Sequence, residues 1–171
     1  MKLKTILAAL LLLTALIHAD PAPFGLEIGK ASVADVKAKY STTYTGINKY
    51  SNGDVYDLDV SELSLDGLES ATVIFGADGK LQGVFCSLPK EKFRYLFGSL
   101  KSKYKLINSN IPFVGDSSAK FMDGNTEITL NAPHMSFKMD MAYIDKNLVK
   151  KFKQQSSNEQ QNKKKKEAAQ L

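Results

Sequence analysis

Apolar residues along the chain fall into short periodic runs punctuated by glycine, asparagine and proline, and two end segments break that pattern. In residues 32–40, Val33, Val36 and Tyr40 recur at helical spacing. Ser32 stands before them and Asp35 three residues later, the pair that can cap the free N–H groups of a helix start. The spacing predicts a helix there. A second apolar face follows Pro89: Phe93, Leu96, Phe97, Leu100 and Tyr104 repeat at offsets of a turn or two. Proline opens a helix without loss, because the first helical N–H has no partner inside the helix.

Elsewhere the period is two. Residues 42–50 and 55–60 flank Ser51-Asn52-Gly53-Asp54, and Asn-Gly between β-prone runs predicts a hairpin, since both residues tolerate positive φ. A second hairpin is expected from strands 71–75 and 80–88 around Gly76-Ala77-Asp78-Gly79. A third joins 117–122 to 125–131 through Asp123-Gly124. Residues 108–116, with Pro112 and Gly115, read as a loop. Met135, Phe137, Met139, Met141 and Tyr143 alternate with Ser136, Lys138, Asp140 and Ala142. That alternation predicts one half-buried strand with Met135, Phe137, Met139 and Met141 all facing the core. A short helix over 145–153 closes the pattern.

The elements invite a repeat. Val36-Lys37-Ala38-Lys39-Tyr40 recurs as Leu100-Lys101-Ser102-Lys103-Tyr104, and Asn52-Gly53-Asp54 has a counterpart in Asp123-Gly124-Asn125. The expected fold is α+β: two tandem helix-plus-antiparallel-strand units, residues 25–88 and 89–153, packed as helices on one sheet.

The two ends differ in composition from the body. Residues 1–19 begin with Lys2 and Lys4, continue as an apolar run from Thr5 to Ile17 and finish on Ala19 before Asp20-Pro21. This is the layout of a signal peptide cut after Ala19, and the run is short for a bilayer span. Residues 20–24, rich in proline, read as a mobile leader. Residues 154–171 lack any apolar period and are expected to be a disordered Lys-rich tail. The net charge is +5, but Lys2 and Lys4 account for two units, and the tail adds Lys163, Lys164, Lys165 and Lys166 against Glu159 and Glu167. The body between is nearly neutral, which argues against a nucleic-acid domain. The four tail lysines could still give a weak contact with anionic membrane.

Candidate chemistry is sparse. A single cysteine, Cys86, excludes an internal disulfide framework and sits in the apolar run Gly83-Val84-Phe85-Cys86-Ser87-Leu88, the setting of a buried hydrophobe. His134 lies between two strands with no nucleophile motif beside it. Asp54, Asp57, Asp59, Glu62, Asp66 and Glu69 crowd one stretch, but the position that a calcium loop reserves for glycine is Glu62. No catalytic, cofactor-binding or metal-ligating residue is assigned. Tyr44, Tyr50 and Tyr56 cluster about the first predicted hairpin, and tyrosines suit binding faces, so these three are the candidate partner-binding residues.

Gly25-Leu26-Glu27-Ile28-Gly29-Lys30 leads into the capped helix and then into antiparallel strands. This arrangement resembles the tandem α/β modules of bacterial envelope proteins, such as the β-lactamase-inhibitor-protein-like group and the small outer-membrane-assembly lipoproteins. Gly29, Ser32 and Val36 match the glycine, cap and valine of that pattern; a lipobox cysteine and paired cysteines are missing. The resemblance implies a sheet whose exposed face grips another protein. The expected function is therefore a non-enzymatic binding protein of the periplasm or the exterior: an inhibitor, immunity or envelope-assembly factor acting on a protein partner. The alternative is a small envelope hydrolase using a carboxylate pair.

Overall fold

Ser32 caps the first helix in the computed structural model, which describes residues 20–170. Its hydroxyl accepts from the Asp35 N–H at 3.2 Å, and the Asp35 carboxylate accepts from the Ser32 N–H at 2.8 Å. The expected signal peptide, residues 1–19, lies outside the described residues. Helix α1 (Val33–Lys39) is followed by strands β1 (Thr42–Ile47), β2 (Asn52–Leu58), β3 (Ser70–Gly76) and β4 (Leu81–Pro89). After a single 3-10 turn come helix α2 (Phe93–Lys103) and strands β5 (Lys105–Asn110), β6 (Ser117–Asp123), β7 (Thr126–Ala132) and β8 (Lys138–Asp145). Helix α3 (Lys146–Ala168) is the last element among the described residues.

The strands form one antiparallel sheet in the order β1-β2-β3-β4-β8-β7-β6-β5. This is an α+β fold. Both α1 and α2 lie on one face. There Val36, Leu96 and Leu100 join Val73, Phe75, Val84, Leu88, Phe121, Ile128, Leu130, Met139 and Met141 in a single buried cluster. The helices also end alike: Tyr40 N–H donates to Val36 O at 2.9 Å, and Tyr104 N–H to Leu100 O at 2.8 Å. In each case the tyrosine turns extended and starts the next strand.

Several expectations need correction. The first hairpin turns at residues 48–51 rather than at Asn52-Gly53. Asn48 Oδ1 accepts from the N–H groups of Tyr50 and Ser51 at 2.9 and 3.0 Å, which closes the turn earlier. Asn52 does take positive φ, 56°, but Gly53 serves another purpose. A Cβ on it would stand 2.2 Å from the carbonyl oxygen of Phe75, so glycine permits β2 to approach β3. Part of the expected loop 108–116 is strand β5, an edge strand with almost every side chain in solvent, which gives it no apolar period.

The last strand begins only at Lys138. Met135 and Phe137, expected in the core, are 91% and 93% exposed. Pro133 accepts from Ser136 N–H, and Ser136 Oγ from Lys138 N–H. That local turn breaks the alternation before the sheet takes it up. From Met139 onward the register holds, with Met139, Met141 and Tyr143 buried.

The leader is docked rather than loose. Asp20 Oδ1 accepts from the Asn125 N–H at 2.6 Å, Pro21 O from Ile28 N–H, and Phe24 O from the Tyr40 hydroxyl at 2.7 Å. The segment expected to be a disordered tail continues α3 through residue 168. Leu148, Val149 and Phe152 rest on the protein and hold the first turns; once a helix is nucleated, Gln, Glu, Lys and Ala extend it readily.

Candidate functional site

The two tyrosine-bearing strands do not present one tyrosine face. Tyr56 is buried, edge-on to Phe75 at 6.0 Å and to Tyr44 at 5.4 Å. Tyr44 is 53% exposed beside it. Tyr50 sits in the turn, packed edge-on against Phe152 of α3 at 5.0 Å. Tyr44 and Tyr56 face the α1 side of the sheet, whereas Tyr50 joins α3. The three are not brought together, because the early turn at residues 48–51 takes Tyr50 out of the strand parity that linked it to Tyr44.

What the fold does assemble lies on the face without α1 and α2. Register places three rows across it. Ser70, Ser87, Asp140, Asn131 and Ser118 form the first; Asp57, Thr72, Phe85, Ala142, Thr129 and Lys120 the second. Ile74, Gly83, Ile144 and Glu127 form the third. The first α3 turns lie over this last row. Between them is an apolar groove of about 430 Å³, lined by Tyr50, Ile74, Phe85, Ile144, Val149 and Phe152 among others. It runs into a shallower depression of about 380 Å³ whose lining includes Thr72, Ser87, Thr129, Asn131 and Asp140. Phe85 and Ile144 border both, so the two make one trough, apolar at the α3 end and polar at the other.

Gly83 shapes its floor. A Cβ there would meet the Phe85 ring at 2.7 Å, so the ring lies across the glycine. At its margins Thr72 Oγ1 donates to Asp57 Oδ1 at 2.6 Å, and Lys120 pairs with Glu127 at 2.9 Å. Sequence periodicity marks none of this, since Ile74, Phe85 and Ile144 sit at the nominally outward positions of three separate strands.

The acid-rich stretch resolves into local hydrogen-bond acceptors. Asp54 accepts from the Tyr56 hydroxyl, Asp59 from Ser61, and Glu62 from both the N–H and the hydroxyl of Ser41. Asp66 binds Lys92, and Glu69 binds Lys138. The Ser61 hydroxyl and N–H hold the Asp59 carboxyl below its usual range, and Lys92 does the same to Asp66. Cys86 is buried on the helix side, where burial pushes its thiol up to about 12. A thiol so protonated is no nucleophile. His134 is exposed in the β7–β8 loop, its N–H bound to Asp116. Among the described residues no group of three His, Cys, Asp or Glu could hold a metal.

Compared with known families, curated proteins and solved structures, the chain matches none.

Proposed function

We propose that this is a non-enzymatic binding protein of the cell envelope or exterior that grips a protein partner with the sheet face opposite α1 and α2. The observation that carries the reading is the trough: a sheet floor with Phe85 and Ile144 at its centre and a polar end lined by Thr72, Ser87, Thr129, Asn131 and Asp140. Pre-organised apolar centres with polar borders are what protein interfaces use. The hydrolytic alternative has less support, because the carboxylates of the acid-rich stretch are committed to separate partners. Export rests on residues 1–19, and the mature chain should begin at Asp20, as mass spectrometry of the purified protein can check. An intact Met1 would overturn export.

The element order supports a tandem architecture of the kind that the envelope modules have. Helix and four strands occur twice, the halves meet through β4 and β8, and both helices finish at the same Lys-x-Lys-Tyr step. The decisive experiment on binding places a photo-crosslinking side chain at Thr129, in the trough, and at Ala38, on the outer face of α1. A discrete protein adduct from position 129 and none from 38 is expected in the producing cell. Adducts of equal yield from both positions, or none from 129, would sink the trough as the partner surface.

A further inference from the structure

The strand ends opposite the start of α3 carry two loops, residues 111–116 between β5 and β6 and residues 133–137 between β7 and β8. Phe113 is fully exposed, Val114 largely so, and Met135 and Phe137 stand beyond the sheet on the neighbouring loop. Apolar side chains gathered this way on a water-facing surface mark an interaction site.

The loops are braced from within. His134 N–H donates to Asp116 Oδ1 at 2.7 Å, and Asn110 Nδ2 to Asp116 O at 3.1 Å. Lys90 N–H donates to Phe137 O at 2.8 Å, while the Lys90 ammonium donates to the carbonyls of Pro133 and His134. Between the loops and the start of α2 lies a cleft of about 310 Å³, lined in part by Lys90, Glu91, Arg94 and His134. The Lys90 charge is held by carbonyls rather than by a carboxylate. Arg94 is exposed and has no ion pair among the described residues.

We infer that this end of the molecule docks on an anionic phospholipid bilayer: Phe113, Val114, Met135 and Phe137 enter the acyl layer, and Lys90 and Arg94 meet headgroup phosphates. The side chains stand as separate prongs on convex tips. A bilayer deforms around prongs, whereas a protein would need a matching pocket for each. An acyl layer supplies no hydrogen bonds, so loops entering it must satisfy their own polar groups, as the bracing here does for those named. Cations beside apolar tips then complement the charge at the lipid interface. The tail lysines cannot share this contact. They follow Glu159, which reaches Lys49 in the β1–β2 turn, at the other end of the strands.

The chain has no tryptophan, so Phe113→Trp and Phe137→Trp each install a unique fluorescent reporter. With phosphatidylcholine–phosphatidylglycerol vesicles both should shift to the blue and be quenched by brominated acyl chains; Tyr44→Trp should do neither. Phe113→Ser with Phe137→Ser should weaken vesicle partitioning roughly tenfold or more, given the transfer free energy of two aromatic side chains. Arg94→Gln should weaken it only where phosphatidylglycerol is present. Every variant begins at Asp20, as the proposed mature chain does, and keeps the tail lysines, so attraction through the tail is common to all. Because the replaced side chains are exposed, thermal melts should be unchanged. Absence of quenching at positions 113 and 137, equal quenching at 44, or undiminished partitioning of the double variant would overturn the proposal. So would a blue shift that grows with protein concentration without lipid, which would assign the loops to a second copy of the chain.

Discussion

Single atoms decide whether a glycine here can be replaced. At Gly53 a methyl group would collide with backbone oxygens of Phe75 and Gly76, which cannot step aside without parting β2 from β3. Gly53→Ala should lose about 3 kcal/mol, the upper end of ordinary overpacking. Gly98, exposed in α2 with nothing within 4 Å of its would-be Cβ, should behave oppositely. Gly98→Ala should gain about 0.5–1 kcal/mol from helix propensity; chemical denaturation of the two variants measures both signs. Titration offers a further check. Hydrogen bonds from Ser32 lower the Asp35 carboxyl, as those from Ser61 and Lys92 lower Asp59 and Asp66. Lowered folded-state values stabilise above the ordinary carboxylate range, and that contribution is lost as pH falls through them. The melting temperature should therefore hold down to about pH 5 and drop below about pH 4, with a shallower drop in Asp35→Asn/Asp59→Asn. The alkaline limb has the opposite origin. Cys86, moved from 9.0 to about 12 by burial, stays protonated in the fold while the unfolded chain ionises. Stability present below pH 9 is then lost on the way to 12, and Cys86→Ala should flatten the first part of that decline.

Among the elements, α3 has two regimes. Leu148 is buried, and Leu148→Ala should cost roughly 2–4 kcal/mol by leaving a cavity under the helix. Beyond residue 153 the side chains are mostly exposed, and the ion pair with the rest of the protein is the exposed Lys49–Glu159 pair, 3.4 Å apart, among the described residues. Such pairs contribute little. Truncation after Lys153 should lower the helical circular dichroism signal yet move the melting temperature by no more than about 2 °C. The same contrast explains what was legible in the sequence. Helices α1 and α2 and the second and third hairpins announce themselves because each buries one face and leaves the other wet. β5 does not, since an edge strand in solvent on both faces has no alternation to display. The stretch 135–137 misleads for the reverse reason: its alternation continues that of β8, but a turn at Ser136 removes it from the sheet. The tyrosine cluster shows that closeness in sequence is not closeness on a face. The trough was unreadable because it exists only through register between strands far apart in the chain.

At the scale of the whole molecule, both outer strands of the sheet are irregular. β1 carries a bulge between Tyr44 and Gly46, and β5 one between Leu106 and Asn108. Bulges twist an edge away from further pairing. Deleting Ile107, the extra residue of β5, should straighten that edge and produce dimers or larger species, visible by light scattering. The innermost seam has no such guard. β4 pairs with β8 over an unbroken register from Gly83–Ile144 to Pro89–Lys138. During synthesis β4 emerges long before β8, so for that interval a strand with five buried residues is an open edge. From Gly83 to Pro89 it offers unprotected hydrogen-bonding groups to any antiparallel visitor. A fragment of residues 20–89 should accordingly dimerise through β4. In the living cell this first half is the interval when a chaperone matters most, and the arrival of residues 138–145 is what ends the hazard.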